Sequence, residues 1–220
     1  MKKLLTVLWF YLFLVGPLQA QIEIIDKPIV WNEKRKQLSL EYLSERHGIE
    51  TDKPEIDPKI IVVHHTVIPT LEGTMRAFME PELPGFRDAI KGASSLNVSS
   101  QFVIDQDGTI YRLLPETAFA RHVIGLNYCA FGIENVGGTK EVPLTKAQLI
   151  SNIALIKYLA EKYEVEYLIG HYEYTAFTET PLWKETDDNY RTNKNDPSKK
   201  FMKKIRKKVK ATGLKAAPTK

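Results

Sequence analysis

The stretch "KIIVVHH" at residues 59–65 is β-branched, almost wholly apolar, and closed by two adjacent histidines. Such a run is typical of a strand buried on both faces. Because side chains alternate across a strand, His64 and His65 should point to opposite faces, and only one should reach a given metal ion. The carboxyl end of this strand is therefore the first candidate for a site.

Turn and capping signals outline the other elements. Asp107-Gly108 separates two β-rich arms, as in a hairpin. Thr145 and Gln148 have the spacing of a capping box at a helix start, and Gly48 would stop an earlier helix. Strands are expected at 59–65, 130–138 and 166–171, a hairpin at 99–114, and helices at 32–47 and 146–163. This order predicts an α/β fold with a mixed central β-sheet flanked by helices.

The first twenty residues have the pattern of a secretory signal peptide. Lys2 and Lys3 precede the apolar run "LLTVLWFYLFLVG", and "PLQA" follows with cleavage expected after Ala20. The run is shorter than the roughly 20 residues of a membrane span. In the oxidising setting of an exported protein the one cysteine, Cys129, has no intramolecular partner, and we expect it to be a small buried side chain. We predict a periplasmic or secreted protein with a signal peptide at 1–20, an extension at 21–57, a main domain at 58–210 and a basic tail at 211–220.

Charge is segregated along the chain. Residues 199–220 hold ten Lys or Arg and no acid, whereas residues 21–198 hold 19 basic and 27 acidic residues. Phe201, Ile205 and Val209 recur every four residues, which predicts an amphipathic helix whose charges face water. The alternative is that this basic helix binds anionic envelope polymers. Its lack of interleaved aromatics apart from Phe201 argues against a nucleic-acid partner.

Candidate metal ligands stand out because the chain has only five histidines, at positions 47, 64, 65, 122 and 171. The pair at 64–65 and His171 end predicted strands, and a catalytic zinc takes three protein ligands with one position left for water. Asp196 precedes Pro197, which suits the first position of a helix, so its carboxylate would be fixed at a helix start. Spacing alone leaves open that the histidines are core residues and that Asp196 only caps its helix.

Five ordered motifs resemble one known family. They are "IVVHHT", "NVSSQFVIDQDGTIYRLLPE", "ARHVIGLNYCAFGIENVGG", "IGHYEY" and "KNDP", between about residues 58 and 205. In this order they resemble the zinc-dependent N-acetylmuramoyl-L-alanine amidases of type 2, which share a fold with peptidoglycan recognition proteins. The resemblance implies a zinc site at the strand ends, hydrolysis of the bond between N-acetylmuramic acid and L-alanine, and peptidoglycan or muropeptides as substrate. We expect a monomer.

The resemblance also assigns the reacting groups. It places the zinc ligands on His64, His171 and Asp196. Of the two adjacent histidines, the expected ligand is therefore His64 and not His65. It places the catalytic glutamate on Glu134, as general base and then acid, and the catalytic lysine on Lys194, which would stabilise the developing oxyanion. Active recognition proteins carry cysteine where this chain has Asp196, so a bacterial amidase is the more similar relative.

Three more residues fall in a segment that resembles the substrate cleft of the family. His122 and Asn127 are expected to bind the muramyl or peptide part. Arg121 would pair with a peptide carboxylate, since a bidentate guanidinium suits that group, although a salt bridge within the fold explains it almost as well. The loop at 172–195 is longer than in compact members and is interpreted as a cleft wall, a mobile lid or a plain insertion.

The rival interpretation is a peptidoglycan-binding module that keeps the fold without catalysis. Non-catalytic recognition proteins lose zinc ligands, whereas this chain keeps all three together with Glu134 and Lys194. The complete set favours the enzyme. Housekeeping turnover and an antibacterial role remain equally compatible with the sequence, as do intact wall and soluble fragments as substrates.

Overall fold

The computed structural model describes residues 22–84 and 93–219. Its strands are β1 (Ile25–Asp26), β2 (Ile60–Val63), β3 (Phe102–Ile104), β4 (Ile110–Arg112), β5 (Ala130–Asn135) and β6 (Tyr167–Gly170). Its helices are α1 (Glu33–His47), α2 (Leu71–Met79), α3 (Lys146–Lys162) and α4 (Lys199–Val209). Short 3₁₀ segments occupy Asn127–Cys129, His171–Phe177 and Lys210–Thr212. The predicted signal peptide lies outside the described residues.

The strands form one mixed sheet in the spatial order β1-β4-β3-β5-β2-β6. β2 runs parallel to β5 on one side and to β6 on the other. Among the pairings of the six described strands, that of β3 with β4 alone is antiparallel. In this register Val63 lies beside both Ile133 and Gly170. Since parallel strands end at the same edge, the residues that follow this row come together there. The predicted fold class is confirmed, with strands shorter than the sequence suggested.

Helices α3 and α4 pack against one face of the sheet. Leu155 and Ile156 of α3 and Ile205 of α4 share a buried apolar cluster with Ile61 and Val63 of β2. The opposite face carries α2 and the segments around 118–129 and 171–177. None of the helices in the described part of the chain has the length and apolarity that crossing a bilayer requires.

Helix α3 begins at the predicted capping box, and its buried face combines Leu155, Ile156 and Leu159 with two polar residues. The side chain of Thr145 accepts from the Gln148 amide, and the Gln148 side chain accepts from the Thr145 amide. Leu149 and Ile153 are only partly buried, whereas Gln148 and Asn152 are fully buried. The two amide side chains are buried because they bond to the ends of β3 and β5, Gln148 through the carbonyl oxygens of residues 104 and 136.

The segment expected as an N-terminal extension folds onto the main core. Asn32 caps the start of helix α1, and the helix stops at Gly48, which adopts φ 62° as the predicted stop requires. Its residues Tyr42 and Leu43 are buried in the same cluster as Phe102. Cys129 is buried as well, and burial raises the pKa of its thiol to about 12, so it behaves as the predicted apolar side chain.

A buried arginine joins α1 to α2. The Nε atom of Arg35 donates to the Val30 carbonyl oxygen at 2.6 Å. Its Nη2 atom donates to the carbonyl oxygens of Phe78, Met79 and Glu80 at 2.8, 3.0 and 2.7 Å. These oxygens belong to the end of α2, where carbonyl groups lack intrahelical partners. One guanidinium therefore caps α2 and fixes it to α1.

Replacing Arg35 by methionine should leave these buried oxygens without a donor. We expect Arg35→Met to lower the free energy of unfolding by about 3 kcal/mol, measured by urea denaturation. The neighbouring Lys36 forms only a solvent-exposed ion pair with Glu33, so Lys36→Met should cost at most about 0.5 kcal/mol. Equal losses in the two variants would contradict this role of Arg35.

Candidate active site

The three predicted metal ligands meet at the carboxyl edge of the sheet. His64 follows β2, His171 follows β6, and Asp196 precedes α4. Their ligand atoms all lie within 4.8 Å of one another, and all three residues are buried. The Oδ2 atom of Asp196 is 3.4 Å from Nδ1 of His64 and 3.1 Å from Nδ1 of His171. Residues that are far apart in sequence thus form one cluster.

Asp196 does not serve as a helix cap. The cap of α4 is Ser198, whose side chain accepts from the amide of Phe201, and the helix begins at Lys199. The expectation that Pro197 starts the helix was therefore wrong, because Ser198 supplies the cap and the helix begins one residue after it. The Asp196 carboxylate remains available to the two histidines.

The chemistry of this donor set fits a zinc ion. Two imidazoles and one carboxylate are a common ligand set for catalytic zinc and leave a fourth position for water or substrate. Burial lowers the pKa of His64 to about 4 and also lowers the pKa of His171, so both rings are neutral at pH 7, as ligation requires. Burial opposes ionisation of Asp196, but the hydrogen bond that it accepts from Nδ1 of His171, together with the nearby His64 ring, holds its pKa well below the usual range. These residues could hold a divalent cation.

Glu134 lies in the same row as the two histidines. It follows Ile133, the residue of β5 that pairs with Val63, so it is the neighbour of His64 across the parallel register. Its Oε2 atom is buried without a hydrogen-bond partner among the described residues. Burial and the charge of Asp196 raise the pKa of Glu134 to about 8, against the opposing charge of Lys194. A cation held nearby would favour its ionised form.

A cleft of about 400 Å³ contains these groups. It is lined by seven of the eight predicted site residues, His64, Arg121, His122, Glu134, His171, Lys194 and Asp196. The eighth, Asn127, lines a smaller adjoining cavity of about 80 Å³ that shares Arg121, His122, His171 and Lys194 with the cleft. The structure therefore brings together every residue that the sequence nominated.

Asn127 and Arg121 are also bound within the fold. The Oδ1 atom of Asn127 accepts from the backbone amides of His122 and Val123 at 2.8 and 2.7 Å, which fixes the turn beneath the cleft. Arg121 is buried and donates to the carbonyl oxygen of Leu96 and to the hydroxyl of Tyr190. Contacts of these residues with substrate stay predictions.

A larger cavity, of about 600 Å³, lies beside β4. Its charged lining is already paired, since Glu116 accepts from Arg112, Lys162, Tyr158 and Tyr163. The predicted site residues, all of which the structure describes, do not line it. The cleft at the strand ends is therefore the candidate active site.

The long loop after His171 is folded and docked. Its first part is the 3₁₀ segment His171–Phe177, where the sequence suggested an irregular loop. Further on, Thr186 bonds to α1 twice, with its amide on the Arg46 carbonyl at 3.1 Å and its hydroxyl on the Glu45 carbonyl at 2.7 Å. The guanidinium of Arg46 forms an ion pair with Glu185 at 2.6 Å.

Sequence reasoning missed these docking residues. Arg46 also stacks on the ring of Tyr190, whose hydroxyl accepts from Arg121 in the cleft. No local pattern could have found the contacts, because they join residues about 140 positions apart. Of the three interpretations of the loop, the docking favours a cleft wall.

Comparisons with known proteins agree with this geometry. A sequence profile of the family Amidase_2, N-acetylmuramoyl-L-alanine amidase, matches residues 54–199. The structure is similar to the N-acetylmuramoyl-L-alanine amidase LysC from Clostridium intestinale URNW, with 25% identity, a TM-score of 0.51, and 89% of this chain and 100% of that chain covered. No curated protein sequence matches the chain.

Two further solved structures are similar. The endolysin amidase LysCS from Clostridium intestinale URNW is 25% identical, with a TM-score of 0.51 and coverage of 88% of this chain and 97% of that one. A mutant of PlyL shares 13% identity with a TM-score of 0.54, over 86% of this chain and 99% of that one, which supports the fold alone. Since the family profile covers well over half of the sequence and all eight predicted site residues, this chain belongs to the N-acetylmuramoyl-L-alanine amidase family of enzymes.

Proposed function

We propose that this protein is a zinc-dependent amidase that hydrolyses the bond between N-acetylmuramic acid and L-alanine in peptidoglycan or its fragments. The observation that carries the proposal is the convergence of His64, His171 and Asp196 on one buried point. The two histidines lie in the same row at the sheet edge as Glu134. The family match supports the same reaction.

His64, His171 and Asp196 would hold the zinc ion. When bound, zinc acts as a Lewis acid toward the substrate carbonyl and activates water for attack. Glu134 accepts a proton from the attacking water and returns it to the amine of L-alanine as the C–N bond breaks. A carboxyl group whose pKa has been shifted toward neutrality suits both transfers. Lys194, on the wall of the same cleft, stabilises the negative charge that develops on the carbonyl oxygen.

The remaining predicted site residues would bind the substrate. His122 and Arg121 line the cleft beside the ligand cluster and would contact the muramyl or peptide part. Asn127 contributes through the adjoining cavity and by holding the backbone of His122. We propose that one copy of the chain suffices, because the described residues of a single chain supply the whole reacting set.

The reaction and the metal are tested together with defined muropeptides. We expect the mature protein to release a peptide with a free amino-terminal alanine, detected by mass spectrometry. A zinc chelator should abolish release and added zinc should restore it. Intact muropeptide in the presence of folded, zinc-loaded protein would contradict the proposal and favour a binding module.

Glu134→Gln provides the matched variant for this assay. Its neutral amide keeps the size of the side chain but cannot take up the proton, so release should fall by about 10²-fold or more while zinc content is unchanged. Glu141→Gln replaces an exposed acid outside the cleft and should retain full activity. Full activity of Glu134→Gln would remove Glu134 from the mechanism.

We also propose export, on the basis of the signal-peptide pattern at residues 1–20. Cleavage after Ala20 would leave Gln21 as the first residue of the mature chain. Mass spectrometry of the protein recovered from the periplasm or the medium should find that amino terminus. A protein that stays inside the cell with residues 1–20 attached would overturn the proposal.

The outer face of α4 is a candidate surface for anionic envelope polymers. Phe201, Met202, Ile205 and Val209 are buried, as the amphipathic pattern predicted. Six lysines on this face are exposed, and within the described ranges no ion pair joins them to an acid. They are Lys199, Lys200, Lys203, Lys204, Lys207 and Lys208. A concentrated cationic face next to an acidic body can attract a polyanion.

Reversing four of these charges tests the surface. Changing Lys203, Lys204, Lys207 and Lys208 to glutamate should reduce co-sedimentation with insoluble cell walls, while activity on soluble muropeptides stays unchanged. Reversal of the exposed lysines 27, 34, 53 and 140 gives a control of equal charge. Unchanged sedimentation of the α4 variant, or equal loss in both variants, would eliminate a specific role of this face.

A further inference from the structure

The imidazole of His122 lies directly against the proposed ligand His64. Their ring centroids are 5.1 Å apart in an edge-on arrangement, and Nδ1 of His122 is 3.0 Å from Nε2 of His64. The other nitrogen of His122, Nε2, is 3.1 Å from the carbonyl oxygen of Ala130. We propose that His122 is a positioning residue that holds His64 in the tautomer whose Nδ1 atom is free to bind the cation. This inference rests on the proposed metal centre.

The direction of the hydrogen bonds follows from the backbone. A carbonyl oxygen only accepts, so Nε2 of His122 must carry the hydrogen in its contact with Ala130. A neutral imidazole has one N–H group, which leaves Nδ1 of His122 as an acceptor. Within the described part of the chain, the donor that lies against that atom is Nε2 of His64, at 3.0 Å. The N–H of His64 is thereby placed on Nε2, and Nδ1, the atom that faces Asp196, keeps its lone pair.

The surroundings hold the His122 ring in this position. Gly132 of β5 lies beneath it, and a Cβ atom at that position would come within 3.0 Å of the ring, so a side chain there would push the ring away. The backbone amide of His122 donates to Oδ1 of Asn127 at 2.8 Å, which fixes the backbone at this position. The His122 ring is thus held between Gly132, which has no side chain, and the turn that the side chain of Asn127 closes.

A partner of this kind affects metal affinity. Groups that hydrogen-bond the second nitrogen of a ligating histidine fix its tautomer and orientation, and their loss commonly weakens metal binding by about 10- to 100-fold. A role of His122 in substrate binding alone makes a different prediction, because zinc affinity would stay unchanged and only KM would rise. The two roles can therefore be separated without measuring activity.

The main experiment compares His122→Leu with His122→Asn in the full mature chain. The Asn oxygen lies two bonds beyond Cβ, as Nδ1 of histidine does, and can accept from His64, whereas leucine cannot. We expect zinc affinity, measured by competition with a chromophoric chelator, to fall by about 10- to 100-fold in His122→Leu and to stay within about threefold of wild type in His122→Asn. Wild-type affinity in His122→Leu, or equal losses in both variants, would overturn the inference.

A second measurement does not depend on the stability of any variant. Nitrogen-15 NMR of the metal-free wild-type protein reports which nitrogen of each histidine carries the hydrogen. We expect the Nε2–H form for both His64 and His122, and the Nδ1–H form of His64 would refute the assignment. Failure of the wild-type protein to bind zinc would instead overturn the metal centre itself, whatever tautomers are observed.

Discussion

The parallel register of β5, β2 and β6 decides where the chemistry of this protein lies. Val63 pairs with Ile133 on one side and with Gly170 on the other. The residues that follow in each strand, His64, Glu134 and His171, therefore fall in one row at the same edge. A slip of one residue in either pairing would turn a site residue to the opposite face of the sheet, against α3 and α4. Burying a polar site residue there without a partner would be costly, which opposes such a slip.

Asp196 comes from outside the sheet and is held by other contacts. The carbonyl oxygen of Asp196 accepts from the amide of Tyr172 at 3.1 Å, which ties it to the segment that carries His171. Immediately afterwards α4 packs its apolar face on α3 and β6. The inner face of α4 thus supports the third ligand, while its outer face carries the lysines. Charge on that outer face can change without disturbing the ligand.

The sequence could predict the features that depend only on residues close together along the chain. The strand at residue 60, the Asp107-Gly108 hairpin and the Thr145–Gln148 capping box depend on neighbouring residues, and the structure confirms each of them. The ordered motifs nominated residues that do meet in one cleft. Burial of polar side chains was not predictable in the same way. The amide of Asn152 is buried because a partner from β5 reaches it, and such partners are chosen by tertiary packing.

The wall of the cleft shows how residues outside the family match can shape the site. Helix α1 precedes residue 54, where the match begins, yet it holds the segment around Thr186 through its carboxyl end. The side chains of Arg46 and Glu185, the ion pair at this junction, are 12% and 0% exposed. Opening the wall as a lid would separate two buried charges, which costs several kcal/mol unless both reach water. Helix α1, which lies outside the family match, is thus in contact with the wall of the cleft through a largely buried ion pair and two hydrogen bonds from Thr186.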